Sequence, residues 1–324
     1  MSEGQRIQPE PILGDDLAPG AGPTAPVSMA SARILLPFIL ITLIWGSTWI
    51  VIRDQLGVVP PSWSVTYRFL IAAAAMFLLA RLSGASVGLS REGHLLAASF
   101  GLPQFFLNFN FVYAAEHHIT SGLVAVVFAL LMVPNSALAW LFLKQKFTRQ
   151  FALGSLIAIV GVGLLFVQEM RVSELPAGKV LLGIALTLLG VLAASCSNVL
   201  QASERLKRLP IASMIAWGMT YGLAANAVFA LIIAGPPVVE YRLGYWVGLI
   251  YLGLAASALA FTLYFGIIRA IGPGKAAYSS LIVPIIAMAL STLFEGYVWS
   301  PLAIGGGILA MIGMGIALRS RATA

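Results

Sequence analysis

The sequence predicts an all-α polytopic membrane protein whose ten transmembrane helices form two inverted five-helix repeats. Three observations predict this class. Hydrophobic residues make up 60% of the chain and charged residues 10%, which is less than half the charged fraction of a typical soluble domain. Apolar stretches of about twenty residues, the length that spans a bilayer, recur along the chain. Several glycines and helix-start residues of the first half return in the second half at a constant offset of 152 residues.

The apolar stretches give the predicted order of the elements. The ten predicted spans cover residues 34–52, 62–82, 94–115, 119–143, 149–168, 179–201, 210–234, 244–268, 275–294 and 301–318. Residues 1–32 are rich in Pro, Gly, Ala and Ser and predict a disordered cytoplasmic tail. They do not resemble a signal peptide, because their start is acidic and the first apolar run is too long. Residues 33–170 and 171–319 are predicted to form the two repeats, followed by a short cytoplasmic tail, 320–324.

The basic residues predict the orientation. Fourteen of the 19 Lys and Arg residues fall on one side of this topology and four on the other, while Arg68 lies within a span. Because cytoplasmic loops carry an excess of Lys and Arg, both termini are predicted to be cytoplasmic. The net charge of +7 is spread over short loops, which indicates contact with lipid headgroups and not with nucleic acid. The single cysteine, Cys196, excludes an intramolecular disulfide.

The repeated residues predict how the two halves are related. Thr148, Gly154, Gly161 and Gly163 match Ser300, Gly306, Gly313 and Gly315 at the offset of 152. We expect Thr148 and Ser300 to be helix N-caps, Pro301 to start a helix, and the glycines to allow close helix packing. Since five spans is an odd number, the second repeat must insert upside down. Inverted repeats of this kind place a substrate site near the membrane midplane between them.

Two predicted spans contain an internal proline. Pro134 and Pro284 lie 150 residues apart, and each follows a glycine, Gly122 or Gly274, near the start of its span. A proline removes a backbone donor and bends or loosens the helix. A bilayer tolerates this only where neighbouring helices or a water-filled cavity satisfy the freed carbonyl. We therefore expect these four residues to act as hinges or gates.

Several short motifs resemble a known family. They are WGSTW at 45–49, the Pro61-x6-Arg68-Phe69 pattern, FLKQKFT at 142–148, and LFEGYVW at 293–299 followed by a glycine-rich helix. Together they resemble the drug/metabolite transporter superfamily, EamA type, over about residues 34–318. The resemblance implies ten helices, cytoplasmic termini and export of amino acids or other small metabolites, and the sequence is most similar to exporters of the YddG type. Two positions depart from the family pattern: Gln145 stands where many members have glutamate, and the first proline has moved from position 132 to 134.

Polar and aromatic residues within the spans are candidates for a substrate pocket. The candidate substrate-binding residues are Trp45, Ser47, Phe105, Asn108, Asn110, Tyr113, Ser195, Asn198, Tyr221, Ser257, Tyr264 and Tyr278. Such a set suits a neutral or zwitterionic solute with an apolar body. Rings near span ends also fit an interfacial belt, and hydroxyls often bond back to their own helix. Since Asn108 and Asn110 are two residues apart on a helix, we expect at most one to face the pathway.

Arg68 has three possible roles. It could snorkel to the membrane surface or bond carbonyls at a helix end. It could bind a substrate carboxylate, or it could form half of a gate with Asp54 or Glu116. We favour structure or gating over substrate binding, because the resembling family keeps this residue across proteins with diverse substrates.

The remaining ionisable residues argue against ion coupling and metal binding. Apart from Arg68 no ionisable side chain is predicted at mid-membrane depth, and Glu295 lies at a span end, so we expect facilitated diffusion or exchange. His117 and His118 adjoin Glu116 without a third ligand nearby, which favours a solvent-side loop over a metal site. We expect no metal and no cofactor.

These observations predict a secondary transporter and not an enzyme. It would export amino acids or similar metabolites across the inner membrane by alternating access, with a small-molecule substrate and the lipid bilayer as its partners. One alternative is an exporter of other metabolites or drugs with the same fold. Another is an intramembrane enzyme acting on lipid-linked substrates, in which Glu116, His117, His118 and Glu295 could serve.

Overall fold

The computed structural model describes residues 31–144, 148–276 and 279–322, and all regular structure in these residues is helical. Nearly all of the predicted N-terminal tail lies outside them. The helices of the first half are α1 (Ala32–Gln55), α2 (Pro61–Leu82), α3 (Arg91–Gly101), the π-helical segment π1 (Leu102–Leu107), α4 (Asn108–Ala115), α5 (Ser121–Ala129), α6 (Met132–Leu143) and α7 (Arg149–Val172).

The second half follows the same order apart from one extra short helix and an unbroken counterpart of α5 and α6. Its helices are α8 (Ala177–Gln201), α9 (Glu204–Lys207), α10 (Ile211–Ala234), α11 (Leu243–Gly253), the π-helical segment π2 (Leu254–Leu259), α12 (Ala260–Ala276), α13 (Ser279–Phe294) and α14 (Pro301–Ala322).

The helices match the predicted spans closely. Within the described residues, nine helical stretches are long and apolar enough to cross a membrane, including the continuous stretches Arg91–Ala115 and Leu243–Ala270. The remaining predicted span, 275–294, contains the shorter apolar helix Leu281–Phe294. The protein is therefore an all-helical polytopic membrane protein. Its tenth crossing stays a prediction.

Helices α7 and α14, the last of each repeat, run antiparallel in close contact. A Cβ on Gly154 would lie 2.4 Å from the backbone nitrogen of Ala317, and one on Gly161 would lie 2.3 Å from that of Ala310. As the residue number rises along α7, it falls along α14. The two repeats therefore point in opposite directions, as the odd number of spans predicts.

The close approach of α7 and α14 also divides the repeated glycines into two kinds. On α14, a Cβ on Gly313 would lie 2.3 Å from the backbone nitrogen of Ala158, and one on Gly306 would lie 2.8 Å from the carbonyl oxygen of Gly161, so both glycines face α7. Gly163 and Gly315 have open space where a Cβ would stand, so the expected packing role is wrong for this pair. Only one glycine face of each helix is part of the contact.

Helix starts and irregular segments repeat at the same offset. Thr148 accepts a hydrogen bond from the backbone N–H of Phe151 (3.1 Å), and Ser300 accepts one from that of Ala303 (3.1 Å), so both predicted N-caps are confirmed. The segments π1 and π2 begin at Leu102 and Leu254, again 152 residues apart. Their wide turns recur at the same place in both repeats, and such turns are frequent at functional sites.

The fourth span is broken into two helices. Helix α5 ends at Ala129 and α6 begins at Met132, and the amides of Leu130 and Leu131 bond three residues back along the chain. Pro134, in the first turn of α6, has no N–H to offer the carbonyl of Leu130, so the regular ladder cannot continue through this point. By contrast α13 remains one helix across Pro284.

Candidate functional site

A cavity of about 130 Å³ lies between the two repeats. The polar and aromatic side chains around it come from both halves: Trp45, Thr48, Trp49, Arg68, Gln104, Asn108, Phe109, Phe128, Asn135, Asn198, Phe261, Tyr264 and Ser279. We call it the central cavity. Because residues near the middle of many spans contribute, it occupies the place where inverted repeats hold their substrate.

Arg68 is the cationic group of the central cavity. Its side chain is 2% exposed, which excludes snorkelling to the membrane surface. Nε donates a hydrogen bond to the Ser257 hydroxyl on π2 (2.9 Å), and Cζ lies 4.4 Å from the centre of the Phe109 ring. Among the described residues no carboxylate lies within ion-pair distance of Arg68. A buried cation without an anion is costly, so this position favours a ligand that brings a negative charge.

Asp54, one of the predicted gate partners of Arg68, is engaged elsewhere. Its carboxylate pairs with Arg242 (2.9 Å) on the connection that precedes α11. Arg242 also donates to Glu240 (2.9 Å), and these two hydrogen bonds raise the pKa of its guanidinium. A direct Arg68–Asp54 gate is therefore absent from this conformation.

Five polar atoms in the wall of the central cavity have no hydrogen-bond partner among the described residues. Two are donors, Trp49 Nε1 and Arg68 Nη1, and three are acceptors, Gln104 Oε1, Asn108 Oδ1 and Asn135 Oδ1. Buried polar groups are almost always paired, and leaving one unpaired costs roughly 1–3 kcal/mol. The residues around the cavity therefore include unpaired donors as well as unpaired acceptors.

The rest of the wall is aromatic. Trp45 contacts Tyr264 and Phe261 edge to face, with ring centres 4.8 Å and 5.5 Å away, and its Nε1 donates to the carbonyl of Ala256 (3.2 Å). Phe128 packs against Trp49 at 5.4 Å. These rings hold one another in place and leave an apolar surface beside the unpaired polar atoms.

The predicted residues divide into those that line the central cavity and those that do not. Of the candidate substrate-binding residues, Trp45, Asn108, Asn198 and Tyr264 line it, as do the predicted gate and hinge residues Arg68 and Pro284. Seven candidates lie outside its lining: Ser47, Phe105, Asn110, Tyr113, Ser195, Tyr221 and Ser257. Tyr278 lies outside the described residues.

The polar candidates outside the lining mostly have partners on neighbouring helices. Ser47 bonds the hydroxyl of Tyr251 (2.7 Å), and Tyr221 bonds Nδ1 of His94 (2.9 Å). Ser257 accepts from Arg68 and so orients the cation without lining the cavity. Ser195 is fully buried away from the cavity.

Two of the three aromatic candidates outside the lining, Phe105 and Tyr113, are fully buried. Phe105 packs between Phe69 (5.2 Å) and Phe100 (5.3 Å). Tyr113 lies beside the Arg68 guanidinium. Both therefore belong to the core that supports the cavity.

The predicted hinge glycines take different positions. A Cβ on Gly122 would lie 2.7 Å from Met288 Sδ and 2.8 Å from Ser291 Cβ, so Gly122 allows α5 and α13 to touch. Gly274 lies near the end of α12, outside the residues whose surroundings are described. A hinge role for either glycine stays a prediction.

Several lining residues are not among the candidates predicted from the sequence, chiefly Trp49, Gln104, Phe128, Asn135 and Phe261. Trp49 could have been found, because it lies one helical turn after Trp45 and so shares its face. Gln104 could not, because its direction depends on the wide turn of π1, which no sequence pattern indicated.

Asn108 and Asn110 serve different purposes. Asn108 lines the cavity, whereas Asn110 donates to Asn226 Oδ1 on α10 (2.6 Å). We expect Asn110→Ala to lower the free energy of unfolding by roughly 1–3 kcal/mol, since it leaves a buried amide oxygen unpaired. Asn108→Ala should change it little, because its Oδ1 has no protein partner to lose. Unfolding in detergent followed by tryptophan fluorescence compares the two, and equal losses would contradict this division.

A polar network closes the end of the bundle where α1 ends and α5 begins. We call it the Glu116-end network: Arg53, Glu116, Thr120, Ser121, Glu169 and Glu295. Arg53 pairs with Glu295 (3.6 Å), and Glu295 also accepts hydrogen bonds from the hydroxyl and the amide of Ser121. Glu169 accepts from the amide of Thr120 (3.2 Å). Helices of both repeats are thereby held together at this end.

A second cavity, of about 700 Å³, adjoins this network. Arg53, Asp54, Thr120 and Glu295 line it, and it shares no lining residue with the central cavity. The Glu116-end network therefore contributes to the wall of the second cavity and not to that of the central cavity.

The comparisons with known proteins agree with this architecture. The EamA-like transporter family matches residues 32–167 and again residues 181–319. The inner membrane transporter YedA of Escherichia coli (strain K12), itself uncharacterized, is 30% identical over 278 residues, which cover 83% of this chain and 86% of that protein. Protein PagO of Salmonella typhimurium is 25% identical, covering 86% and 92% of the two chains.

Two further similarities concern function and fold. A Salmonella typhimurium protein named "Probable amino-acid metabolite efflux pump" is 23% identical over 85% of this chain and 91% of its own length. One solved crystal structure superposes with a TM-score of 0.67 at 18% identity, covering 89% of this chain and 97% of that one, and so supports the fold alone. Since the family match covers both halves of the sequence, this chain is a membrane transporter that belongs to the EamA-like transporter family.

Proposed function

We propose that this protein exports neutral amino acids, aromatic ones included, by alternating access of the central cavity to the two sides of the inner membrane. The single observation that carries the proposal is the set of unpaired polar atoms beside an aromatic wall. A free amino acid has a carboxylate, an ammonium group and a side chain, and the cavity offers a complement to each.

The carboxylate would bind at Arg68. A guanidinium binds a carboxylate with charge-assisted hydrogen bonds, and Nη1 of Arg68 has no other partner among the described residues. Trp49 Nε1 supplies a further donor. This role differs from the structural or gating role that the sequence favours for Arg68.

The ammonium group would bind the amide oxygens of Gln104, Asn108 and Asn135. All three are buried and lack a protein donor. These neutral amide oxygens can accept the hydrogen bonds of the ammonium group, while the carboxylate of the substrate pairs with Arg68. An apolar or aromatic substrate side chain would then pack against Trp45, Phe128 and Phe261.

Two of the similar proteins support the substrate class, since both carry the name "Probable amino-acid metabolite efflux pump". Alternating access is supported by the inverted repeats and by the Glu116-end network, which links the two repeats at one end. With both termini in the cytoplasm, as the basic residues predict, that end faces away from the cytoplasm. Transport would proceed by facilitated diffusion or exchange.

Counterflow in proteoliposomes tests this proposal. Vesicles loaded with an unlabelled neutral amino acid should accumulate the labelled form, whereas empty vesicles and vesicles without protein should not. Failure of every neutral amino acid, with uptake of some other metabolite, would support another exporter of the same fold and defeat the amino-acid proposal.

The aromatic wall gives a more local prediction. Trp45→Ala should lower counterflow roughly tenfold, since it removes a ring that is in contact with the substrate side chain. Trp140→Ala is the matched control, because Trp140 is 58% exposed on the outer surface of α6 and should contribute only to lipid contact. Initial rates normalised to reconstituted protein provide the measurement, and equal rates for the two variants would contradict the wall assignment.

A further inference from the structure

Glu116 is a buried acid that the proposed transport cycle does not yet use. It lies one residue past the span Arg91–Ala115, at the end of α4. The whole residue is 0% exposed, and neither carboxyl oxygen has a hydrogen-bond partner among the described residues. Its neighbour His117, by contrast, is exposed.

An ionised carboxylate in such a place is strongly unfavourable. It loses its hydration and gains no hydrogen bond in return, so the neutral acid is the stable form. Burial raises the pKa of Glu116 well above its usual value, repulsion from Glu295 raises it further, and attraction from Arg53 and Arg68 opposes these effects.

The groups around Glu116 come from several elements. Arg53 on α1 donates a hydrogen bond to the backbone carbonyl of Glu116. The positive charge of Arg68 on α2 attracts the carboxyl group of Glu116 from within the bundle. Tyr113 and Glu295 lie close enough to interact with it electrostatically.

A second ring of ionisable groups surrounds the same site. His117 lies near Arg53, His118 near Lys179 on α8, and Glu169 on α7 lies near Arg53 and Glu295. Burial lowers the pKa of both histidines, so they are neutral near pH 7. The charged groups around Glu116 at this pH are therefore acids, arginines and Lys179.

We propose that the Glu116-end network is a gate and that Glu116 is its proton-binding site. Glu116 binds a proton when this end closes and releases it when this end opens to water. The inference rests on the alternating access proposed above and is independent of the substrate. Its geometry is the fully buried, unpaired carboxyl group of Glu116 within the network that links the two repeats at this end.

The direction of the effect follows from linkage. In the open gate Glu116 would be hydrated and titrate as an ordinary carboxyl group, whereas in the closed gate it keeps its proton to higher pH. At a pH between the pKa of Glu116 in the open gate and its pKa in the closed gate, the closed form binds one more proton. Acid therefore favours closure and rising pH favours opening. One proton changes the ratio of closed to open protein by at most about tenfold per pH unit.

The proton reaches Glu116 from water at the open gate and leaves to the same side. The site therefore regulates the gate without moving protons across the membrane. This agrees with facilitated diffusion or exchange, and it makes export sensitive to the pH on the Glu116 side.

The test measures access to the central cavity through the gate. Cys196→Ser removes the natural thiol, and Ala125→Cys places a new one on α5 at a cavity-lining residue that is 1% exposed. A membrane-impermeant maleimide is added outside sealed vesicles. Tyr241→Cys, at a loop residue 93% exposed on the Glu116 side, reports which side faces out and corrects for thiol ionisation.

The quantity of interest is the labelling rate at position 125 divided by that at position 241. With Glu116 present, this ratio should fall at least threefold from pH 8 to pH 6. With Glu116→Gln, which mimics the neutral acid, it should be low and independent of pH. Glu174→Gln, at an exposed acid in the connection between α7 and α8 on the same side, is the matched control and should keep the full pH dependence.

Two results would overturn the proposal. One is a labelling ratio that does not change with pH when Glu116 is present. The other is an unchanged pH dependence in Glu116→Gln, which would assign the pH dependence to Glu169, Glu295 or the histidines. If Glu116→Gln does not fold, Glu116→Asp should retain the pH dependence with a shifted midpoint, and an unshifted midpoint would count against Glu116. Because labelling requires no substrate, a failed amino-acid assignment would leave this test intact.

Discussion

Gly161→Val is expected to lose roughly 3 kcal/mol or more of stability and to yield little folded protein. A Cβ at this position would lie 2.3 Å from the backbone nitrogen of Ala310 and 2.6 Å from the carbonyl oxygen of Gly306. Backbone atoms of a helix cannot move singly, so α7 and α14 would have to separate along their contact. Size-exclusion profiles and melting curves in detergent measure the loss.

Gly163→Val is the matched control for this prediction. It lies two residues further along the same helix, where a Cβ has open space, and should fold and melt like the unmodified protein. The inverted repeat predicts the same contrast in α14, with Gly313→Val harmful and Gly315→Val tolerated. If all four variants behaved alike, the antiparallel contact of α7 and α14 would be wrong.

Arg68→Gln is expected to lower counterflow of neutral amino acids at least about thirtyfold. Removing one member of a buried charge pair costs about 2–5 kcal/mol, and the proposed pair here forms with the substrate carboxylate. Stability should change much less, because among the described residues Arg68 has no carboxylate partner to lose. Initial counterflow rates and melting curves of the same preparation separate the two effects.

The control for Arg68 is Arg242→Gln. Arg242 has two acidic partners, Asp54 and Glu240, but the side chains of Arg242 and Asp54 are about half exposed, and ion pairs at such positions contribute little. This variant should transport normally. Loss of transport in Arg242→Gln, or full transport in Arg68→Gln, would contradict the role assigned to the buried arginine.

The fold could be predicted from the sequence because its signals are repeated and local. Spans are marked by twenty-residue apolar stretches, and the pairs Thr148–Ser300 and Gly161–Gly313 fix the offset between repeats. Inversion then follows from an odd number of spans per repeat. The π segments could not be predicted, since a one-residue widening of the helix leaves no mark on hydrophobic periodicity.

The cavity could be predicted only in part, because a polar residue within a span has two possible uses. Asn108 and Asn110 look alike in the sequence. Only the position of Asn226 on α10 decides that Asn110, and not Asn108, forms a hydrogen bond between helices. Ser257 likewise positions Arg68 instead of lining the pocket. Such partners lie over a hundred residues away, beyond the reach of local pattern.

The burial of Glu116 could not be predicted from the sequence. A solvent-side loop is predicted for the adjoining His117 and His118, whereas α1, α2 and α13 bring Arg53, Arg68 and Glu295 around Glu116 itself. Burial of a span end depends on how the neighbouring helices converge, which hydropathy alone does not reveal.

Ligand-dependent thermal stabilisation most directly tests whether one cavity, shared by both repeats, binds the two charged ends of an amino acid. The ligands are phenylalanine, its methyl ester, which lacks the carboxylate, and N-acetylphenylalanine, which lacks the ammonium group. We expect only the free amino acid to raise the melting temperature, and the shift to vanish in Arg68→Gln. Equal stabilisation by all three compounds, or an undiminished shift in Arg68→Gln, would contradict this.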